Sequence, residues 1–400
     1  MKEKLYLLLV VIASSFLAGC SSDDTLVVKC ESVSETPILL QSDNDFFSVK
    51  TRASIDDVLS VDSFGIFCLA REKTGINGSS EAREVDWDTK LVNTIDDYGF
   101  TTHGVYWNNV KFKPSASDES TTDLVPLPGQ DYVRYYPITN WYGYDFFGYY
   151  PYQPQSNIVD NYNSDSLAVN FVTDGTIDII WGRSAQISDP YAYSARYMRK
   201  TGETAAHMTF HHSLTQFRFF LVPSVDDLGR VEQFDVIKNL SLKELKLLDT
   251  YPNLRMTLAN LYNEANVGKV YPATRDITTD FTLKDETGAL IEENPVPVPY
   301  KLVDEQVMPD TVRLGDCIMA CSNEREYFIS MCMCDTDNPA NEYRSEKRIS
   351  VKLSNGSPFK PGYIYNIYIT VNGVTFVSMS AELEEWMEAD DDDSLKFEIY

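Results

Sequence analysis

The chain has 400 residues, of which 43% are hydrophobic, 24% charged and 12% aromatic. That apolar content can bury sizeable cores, which excludes a disordered chain, and the length suits two domains. With 34 basic against 60 acidic residues the formal net charge is −26, and such a surface repels phosphate backbones, so nucleic acid is excluded as a partner.

In chain order the first element is a targeting segment. Residues 1–19 start basic, run apolar from Leu5 to Ala13, and reach small residues before Cys20. This describes a secretory signal rather than a membrane span. Leu17-Ala18-Gly19-Cys20 resembles the lipobox of bacterial lipoproteins, in which the cysteine thiol is acylated (palmitate among the chains). Two or more chains anchor stably, because each buried methylene contributes about 0.8 kcal/mol. Ser21-Ser22-Asp23-Asp24 resembles the export signal that sends Bacteroidetes lipoproteins to the outer face of the outer membrane.

Residues 20–52 are polar, broken by Leu26-Val27-Val28, Ile38-Leu39-Leu40 and Phe46-Phe47-Ser48-Val49. Short strand-like segments bounded by turn residues follow. Phe64 to Ala70 suits a buried strand, and Val105-Tyr106-Trp107 and Val110-Lys111-Phe112 flank a tight turn at Asn108-Asn109. Phe146 to Tyr150 is an aromatic strand ended by Pro151. A polar stretch at Lys200–Thr204 precedes a fresh strand and marks the expected boundary between domains 53–203 and 204–400. Phe217 to Pro223, Tyr327 to Cys334 and Tyr363 to Val371 read as strands. Leu240 to Leu247 alternates at first and then becomes ambiguous between helix and strand, and Pro295 to Pro299 reads as an extended connector. Long helical periodicity is nearly absent. The pattern predicts an all-β chain of two antiparallel β-sandwiches.

The chemistry-bearing residues do not assemble into an active site on paper. His207, His211 and His212 lack the glutamate of a zincin motif and read as packing or strand-end residues. Adjacent carboxylates such as Asp96-Asp97 point to opposite faces of a strand, unlike a glycosidase pair. Cys317, Cys321, Cys332 and Cys334 bracket a turn at Ser322-Asn323-Glu324. They read as buried small hydrophobes on paired strands, with a disulfide across the hairpin as an alternative; Cys-x-Cys spacing argues against zinc. Asp390 to Asp393 lacks the spaced oxygens of a calcium loop. No enzyme, cofactor or metal is expected.

The order of these segments resembles the fimbrillin family of Bacteroidetes surface lipoproteins. The residues that carry the likeness are the lipobox, Thr51-Arg52-Ala53, Phe64-Gly65-Ile66-Phe67 and the aromatic segment to Pro151. After them come Phe210-His211-His212-Ser213-Leu214, Phe359 to Tyr365 and Trp386. The resemblance implies two tandem transthyretin-like antiparallel β-sandwich domains after the lipoprotein signal peptide. It also implies polymerisation with other fimbrillin subunits into a fimbrium used in adhesion, with a host or bacterial surface receptor as a further partner. In such proteins an arginine-specific protease cuts the outer-membrane precursor, a strand leaves, and a strand of another subunit fills the groove.

Carried onto this chain, Cys20 is the lipidation site and Arg52–Ala53 the processing bond within a spacer at 20–52. The strand that leaves holds Phe46, Phe47 and Val49, with Ile38 to Leu40 as the alternative. Leu395, Phe397 and Ile399 alternate strictly behind the acidic hinge and are the candidate donor strand. Those six C-terminal residues span only about 20 Å, so a longer stretch from before Trp386 is needed, and an ordinary last edge strand is the alternative. A second function class is a glycan-binding surface lipoprotein of a polysaccharide-uptake system, with Trp141, Tyr142, Tyr144, Tyr149 and Tyr150 as a stacking platform; aromatics every second or third residue read first as filling of a sandwich core.

Overall fold

Seven strands close into a barrel in the order Leu40–Asp43, Ala206–His212, Ile180–Ser184, Gly143–Tyr150, Phe64–Arg71, Val105–Ala116, Thr121–Pro126. The structure is a computed structural model. It describes residues 36–43, 63–71, 94–95, 101–103, 105–116, 121–127, 135–136, 143–161, 166–189, 191–260, 264–344, 348–353, 355–373, 377–385 and 397–398. Trp141, Tyr142, Phe46, Phe47 and Val49 lie outside these, as do Cys20, Arg52, Ala53, Leu395 and Ile399.

All eight residues of Gly143–Tyr150 are buried, which explains a run apolar on both parities. Tyr144, Phe146 and Tyr150 face the barrel interior with Phe64, Trp107 and Phe210. Phe147 and Tyr149 face outward into a second cluster that includes Phe171, Leu254 and Met256. That outer cover is a four-stranded sheet of Ile158–Asn161, Ser166–Val172, Asn253–Asn260 and Val270–Pro272. Tyr144, Tyr149 and Tyr150 are therefore core side chains and offer no stacking platform. Gly148 and Gly182 sit opposite each other on paired strands. A Cβ on Gly182 would lie 2.3 Å from the Phe210 ring, so glycine there is what lets the ring cross the barrel.

Asn108-Asn109 is not a turn. Val105–Ala116 is one strand, and its pairing with Phe64–Arg71 shifts register around Cys68. Asn109 takes a left-handed φ of 55°, the conformation asparagine tolerates in a bulge as readily as in a turn. Its buried side chain lies on the Tyr149 side of the strand, where Oδ1 accepts from the Tyr149 hydroxyl (2.6 Å) and Nδ2 donates to the Gln153 carbonyl (2.9 Å). Burial pushes the Tyr149 phenol well above its ordinary value.

The chain leaves the barrel at Ser213 and continues as Leu214–Pro223, which lies between Val312–Cys321 and Tyr363–Val371 in a five-stranded sheet. A second sheet, built on Leu240–Thr250 and Glu326–Asp335, packs across a core of Phe217, Phe219, Leu242, Leu245, Ile329 and Ile367. Leu240–Thr250 is a strand throughout. The pairing with Glu326–Asp335 shifts between Leu242 and Glu244, so a bulge keeps Leu242, Leu245 and Leu247 on one face despite their spacing of three and then two. That insertion is why the sequence alternation breaks. The strand Ala206–His212, immediately beyond the expected boundary at 203/204, pairs inside the barrel. The polar stretch before it is the end of a helix, Ala195–Thr201, capped by Ser194 Oγ accepting from Tyr197 N (3.2 Å) and by Gly202 at φ 78°. Seven residues are too few for a visible period; Ala195, Tyr197 and Met198 pack into the barrel core.

Cys317, Cys321, Cys332 and Cys334 carry free, buried thiols, but not on paired strands. Val312–Cys321 pairs with Leu214–Pro223, whereas Glu326–Asp335 pairs with Leu240–Thr250. The turn between them crosses from one sheet to the other and is held there by the Tyr327 hydroxyl donating to the Cys321 carbonyl. Burial first, then the neighbouring Asp316 or Glu324 charge, pushes the Cys317 and Cys321 thiols up to about 12. Protonated thiols are thus favoured by the native state. Their contribution is complete below about pH 9 and is lost as pH rises toward about 12. Urea midpoints should fall steadily above pH 9, and native protein at pH 8 should leave these four thiols unalkylated by iodoacetamide, as read by mass spectrometry. Labelling of the native chain at the rate seen in 6 M guanidinium would contradict this placement.

Candidate functional site at the barrel closure

The barrel is closed by its shortest strand. Leu40–Asp43 pairs antiparallel with Thr121–Pro126 (Leu40 opposite Leu124, Ser42 opposite Thr122) and parallel with Ala206–His212 (Leu40 opposite Ala206, Ser42 opposite Met208). Ahead of it, Pro37 bridges to Tyr135, and the amide of Ala206 donates to the Leu39 carbonyl at 2.8 Å. Side chains alternate as the strand geometry demands. Ile38, Leu40 and Ser42 point inward, at 5%, 2% and 1% exposure, while Leu39 is 46% exposed. Gln41, on the outer face, donates from Nε2 to Asp123 Oδ1 at 2.9 Å.

Two opposing features meet here. Burying Ile38 and Leu40 stabilises the closed barrel by about 1.5–3 kcal/mol each. Yet among the described residues the strand is four residues long, and one of its two neighbours is parallel, the weaker kind of ladder. Take the strand away and Thr121–Pro126 and Ala206–His212 each present an open edge above an apolar trough. Such a slot accepts an extended segment by main-chain pairing, with pockets for every second side chain.

The segment that occupies the slot lies before Arg52 and includes Ile38 to Leu40, the second of the two sequences read as removable. At the other end of the chain, Phe397–Glu398 pairs antiparallel with Ser380 and Ala381, on the outer edge of the five-stranded sheet. Phe397 is therefore an edge residue of its own chain and is not brought to the barrel slot.

One pair of buried polar groups escaped sequence reading. His212 Nδ1 and Asp178 Oδ2 lie 2.6 Å apart with both side chains 1% exposed. His212 sits opposite Ile180 in the ladder, and the amide of Ser213 donates to the Ile179 carbonyl at 2.8 Å. The pair pins the point where the chain passes from barrel to sandwich. Asp178 is 34 residues away with no motif to announce it; the only signal was a histidine doublet ending a strand pattern. Its neighbour His211 stacks on Trp181 at 6.1 Å between centroids, and burial lowers its basicity.

These features can be set beside known proteins. The profile of a family described as fimbrillin-like matches residues 51–386. No match is found among curated proteins. Among solved structures, a fimbrial protein from Bacteroides vulgatus aligns with TM-score 0.48 and 13% identity over 88% of this chain and 99% of that one. The fimbrial anchor protein Mfa2 from Porphyromonas gingivalis aligns with TM-score 0.31 and 7% identity, covering 91% and 100%. The tip fimbrial protein Mfa3 from the same organism aligns with TM-score 0.34 and 9% identity, covering 88% and 100%. Since the profile spans most of its length, the chain belongs to the fimbrillin-like family.

Proposed function

We propose that this chain is a fimbrial subunit that reaches the outer-membrane surface as a lipoprotein acylated at Cys20 and assembles by strand exchange. Cleavage of the Arg52–Ala53 bond frees everything before it, Leu40–Asp43 included, and opens the slot between Thr121–Pro126 and Ala206–His212. The C-terminal strand of another subunit enters, its Leu395, Phe397 and Ile399 taking the inward positions of Ile38, Leu40 and Ser42. Its place at the outer edge of its own sheet, with a neighbour on one side alone among the described residues, favours its release. Such joining is head-to-tail and does not close on itself, so it yields a filament. The role is structural rather than catalytic, the partners are other fimbrillins, and the final location is the fimbrium on the cell surface.

The observation that carries this reading is that a barrel of seven strands is completed by a four-residue strand lying N-terminal to the candidate cleavage bond. The experiment is limited digestion of the purified full-length chain with an arginine-specific protease, followed by an unboiled SDS gel and N-terminal sequencing. A heat-sensitive ladder whose subunits begin at Ala53 is expected, and Arg52→Ala should remain monomeric. A ladder formed equally by Arg52→Ala, or cleavage at Arg52 that leaves only monomer, would overturn it.

A further inference from the structure

A cleft of about 520 Å³ opens beside the edge strand Val270–Pro272. It is lined by none of the residues that hold Leu40–Asp43 in the barrel. One wall is the turn carrying Asn266 and Lys269, and the other is the turn carrying Asn323 and Glu324; Arg275 and Tyr271 stand on the edge-strand side. The floor includes Thr257 and Ser322, polar side chains at 6% and 4% exposure.

The chain carries a net charge of −26, yet this cleft is lined by two cations, Lys269 and Arg275, against a single carboxylate, Glu324. Neither cation has an ion-pair partner among the described residues, whereas Lys243, Lys284 and Arg344 are paired. Around them the remaining polar lining is neutral amide and hydroxyl, groups that donate and accept side by side, as sugar hydroxyls require. Tyr271, 39% exposed as a residue, also lines the cleft, and a tyrosine ring offers a flat apolar face suited to the CH face of a pyranose.

Both walls are held before any ligand arrives. The 266–269 turn lies against Trp181: Gly268 has φ 78°, and a Cβ there would sit 2.9 Å from the indole, whose Nε1 donates to the Leu258 carbonyl at 3.1 Å. Opposite, Asn323 takes φ 70° while its amide donates to the Phe359 carbonyl (2.8 Å) and its Nδ2 to Ser322 Oγ (3.1 Å). Between them, the ladder of Asn253–Asn260 with Ser166–Val172 shifts register at Thr257/Ala259, and a bulge there splays the sheet beneath the cleft. Fixed walls lower the ordering cost of binding.

We propose that this cleft binds an acidic oligosaccharide, with Lys269 and Arg275 taking its carboxylate, the asparagine amides its hydroxyls, and Tyr271 one ring face. The volume falls within the roughly 300–1,000 Å³ usual for small-ligand sites, and an arginine–carboxylate contact is charge-assisted. A bare inorganic anion would use the two cations and leave the amides and the ring idle.

The test is isothermal titration of the full-length chain, kept uncleaved and monomeric, so that its outcome is independent of strand exchange. Trigalacturonate, a glucuronate trisaccharide and 3′-sialyllactose are each titrated beside their methyl esters, with inorganic phosphate as competitor. At least one acid should bind saturably and at least tenfold tighter than its ester. Lys269→Gln and Arg275→Gln should each weaken that binding at least fivefold with unchanged near-UV circular dichroism. Absence of saturable heat for all three acids, equal binding of acid and ester, wild-type affinity in both variants, or displacement by phosphate at the sugar's own concentration would each overturn the proposal.

Discussion

Leu40→Asp should open the barrel without any proteolysis. Leu40 is 2% exposed and paired on both sides, so the change removes its buried apolar surface and places a carboxylate in the trough it shares with Leu124, Ala206 and Met208. Truncating a buried leucine costs about 2–5 kcal/mol, and an unpaired buried charge adds to that. A loss of about 4 kcal/mol or more is expected in the closed state. The strand can escape to water while the rest of the barrel keeps its own ladders, so the loss should appear locally. Hydrogen exchange should accelerate at the amides of Thr121–Pro126 and Ala206–His212 that face the slot, while those of Leu240–Thr250 stay protected. Under the strand-exchange reading the same variant polymerises with Arg52 intact. Wild-type protection of both edges would show that Leu40–Asp43 does not hold the barrel shut.

The second large effect concerns the seam. Removing one partner of a buried hydrogen-bonded polar pair costs about 1–3 kcal/mol, whereas replacing both by apolar groups of similar shape is far milder. Asp178→Ala is therefore expected to lose about 1–3 kcal/mol in urea unfolding, and His212→Phe with Asp178→Leu substantially less. Because Asp178 and His212 join the barrel to the point where Leu214–Pro223 begins, the single variant should also separate the unfolding of the two regions. Tryptophan fluorescence from Trp107 and Trp181, both in the barrel strands, should change before the amides of the Phe217 core are released. Equal destabilisation by the single and double variants would show that the 2.6 Å contact carries no coupling.

The strands at Phe64, Phe146, Phe217, Tyr327 and Tyr363 were legible because apolar and β-branched or aromatic runs bounded by turn residues persist whatever the sheet does with them. The expected turn at Asn108-Asn109 and the open choice at Leu240 to Leu247 share one cause. A bulge inserts a residue and shifts the period of alternation, and only the partner strand reveals it. The short helix behind Ser194 left a cap and a C-terminal glycine as its sole traces. Of the candidate site, the apolar run Ile38-Leu39-Leu40 is visible in the sequence, but Phe46 to Val49 is at least as apolar, and composition does not rank the two.

What the sequence by itself determined is the all-β class, the aromatic cores and the family, since these rest on residue type, local period and the order of segments along the chain. Only the tertiary structure decided that Leu40–Asp43 is the closing strand, that Asp178 meets His212, that the cysteine strands lie in different sheets, and that Lys269 and Arg275 share a cleft. Each of these joins residues far apart in sequence. Sheet pairing is set by which edges remain open after every other strand has found a partner, and that is a property of the whole fold and of no single segment.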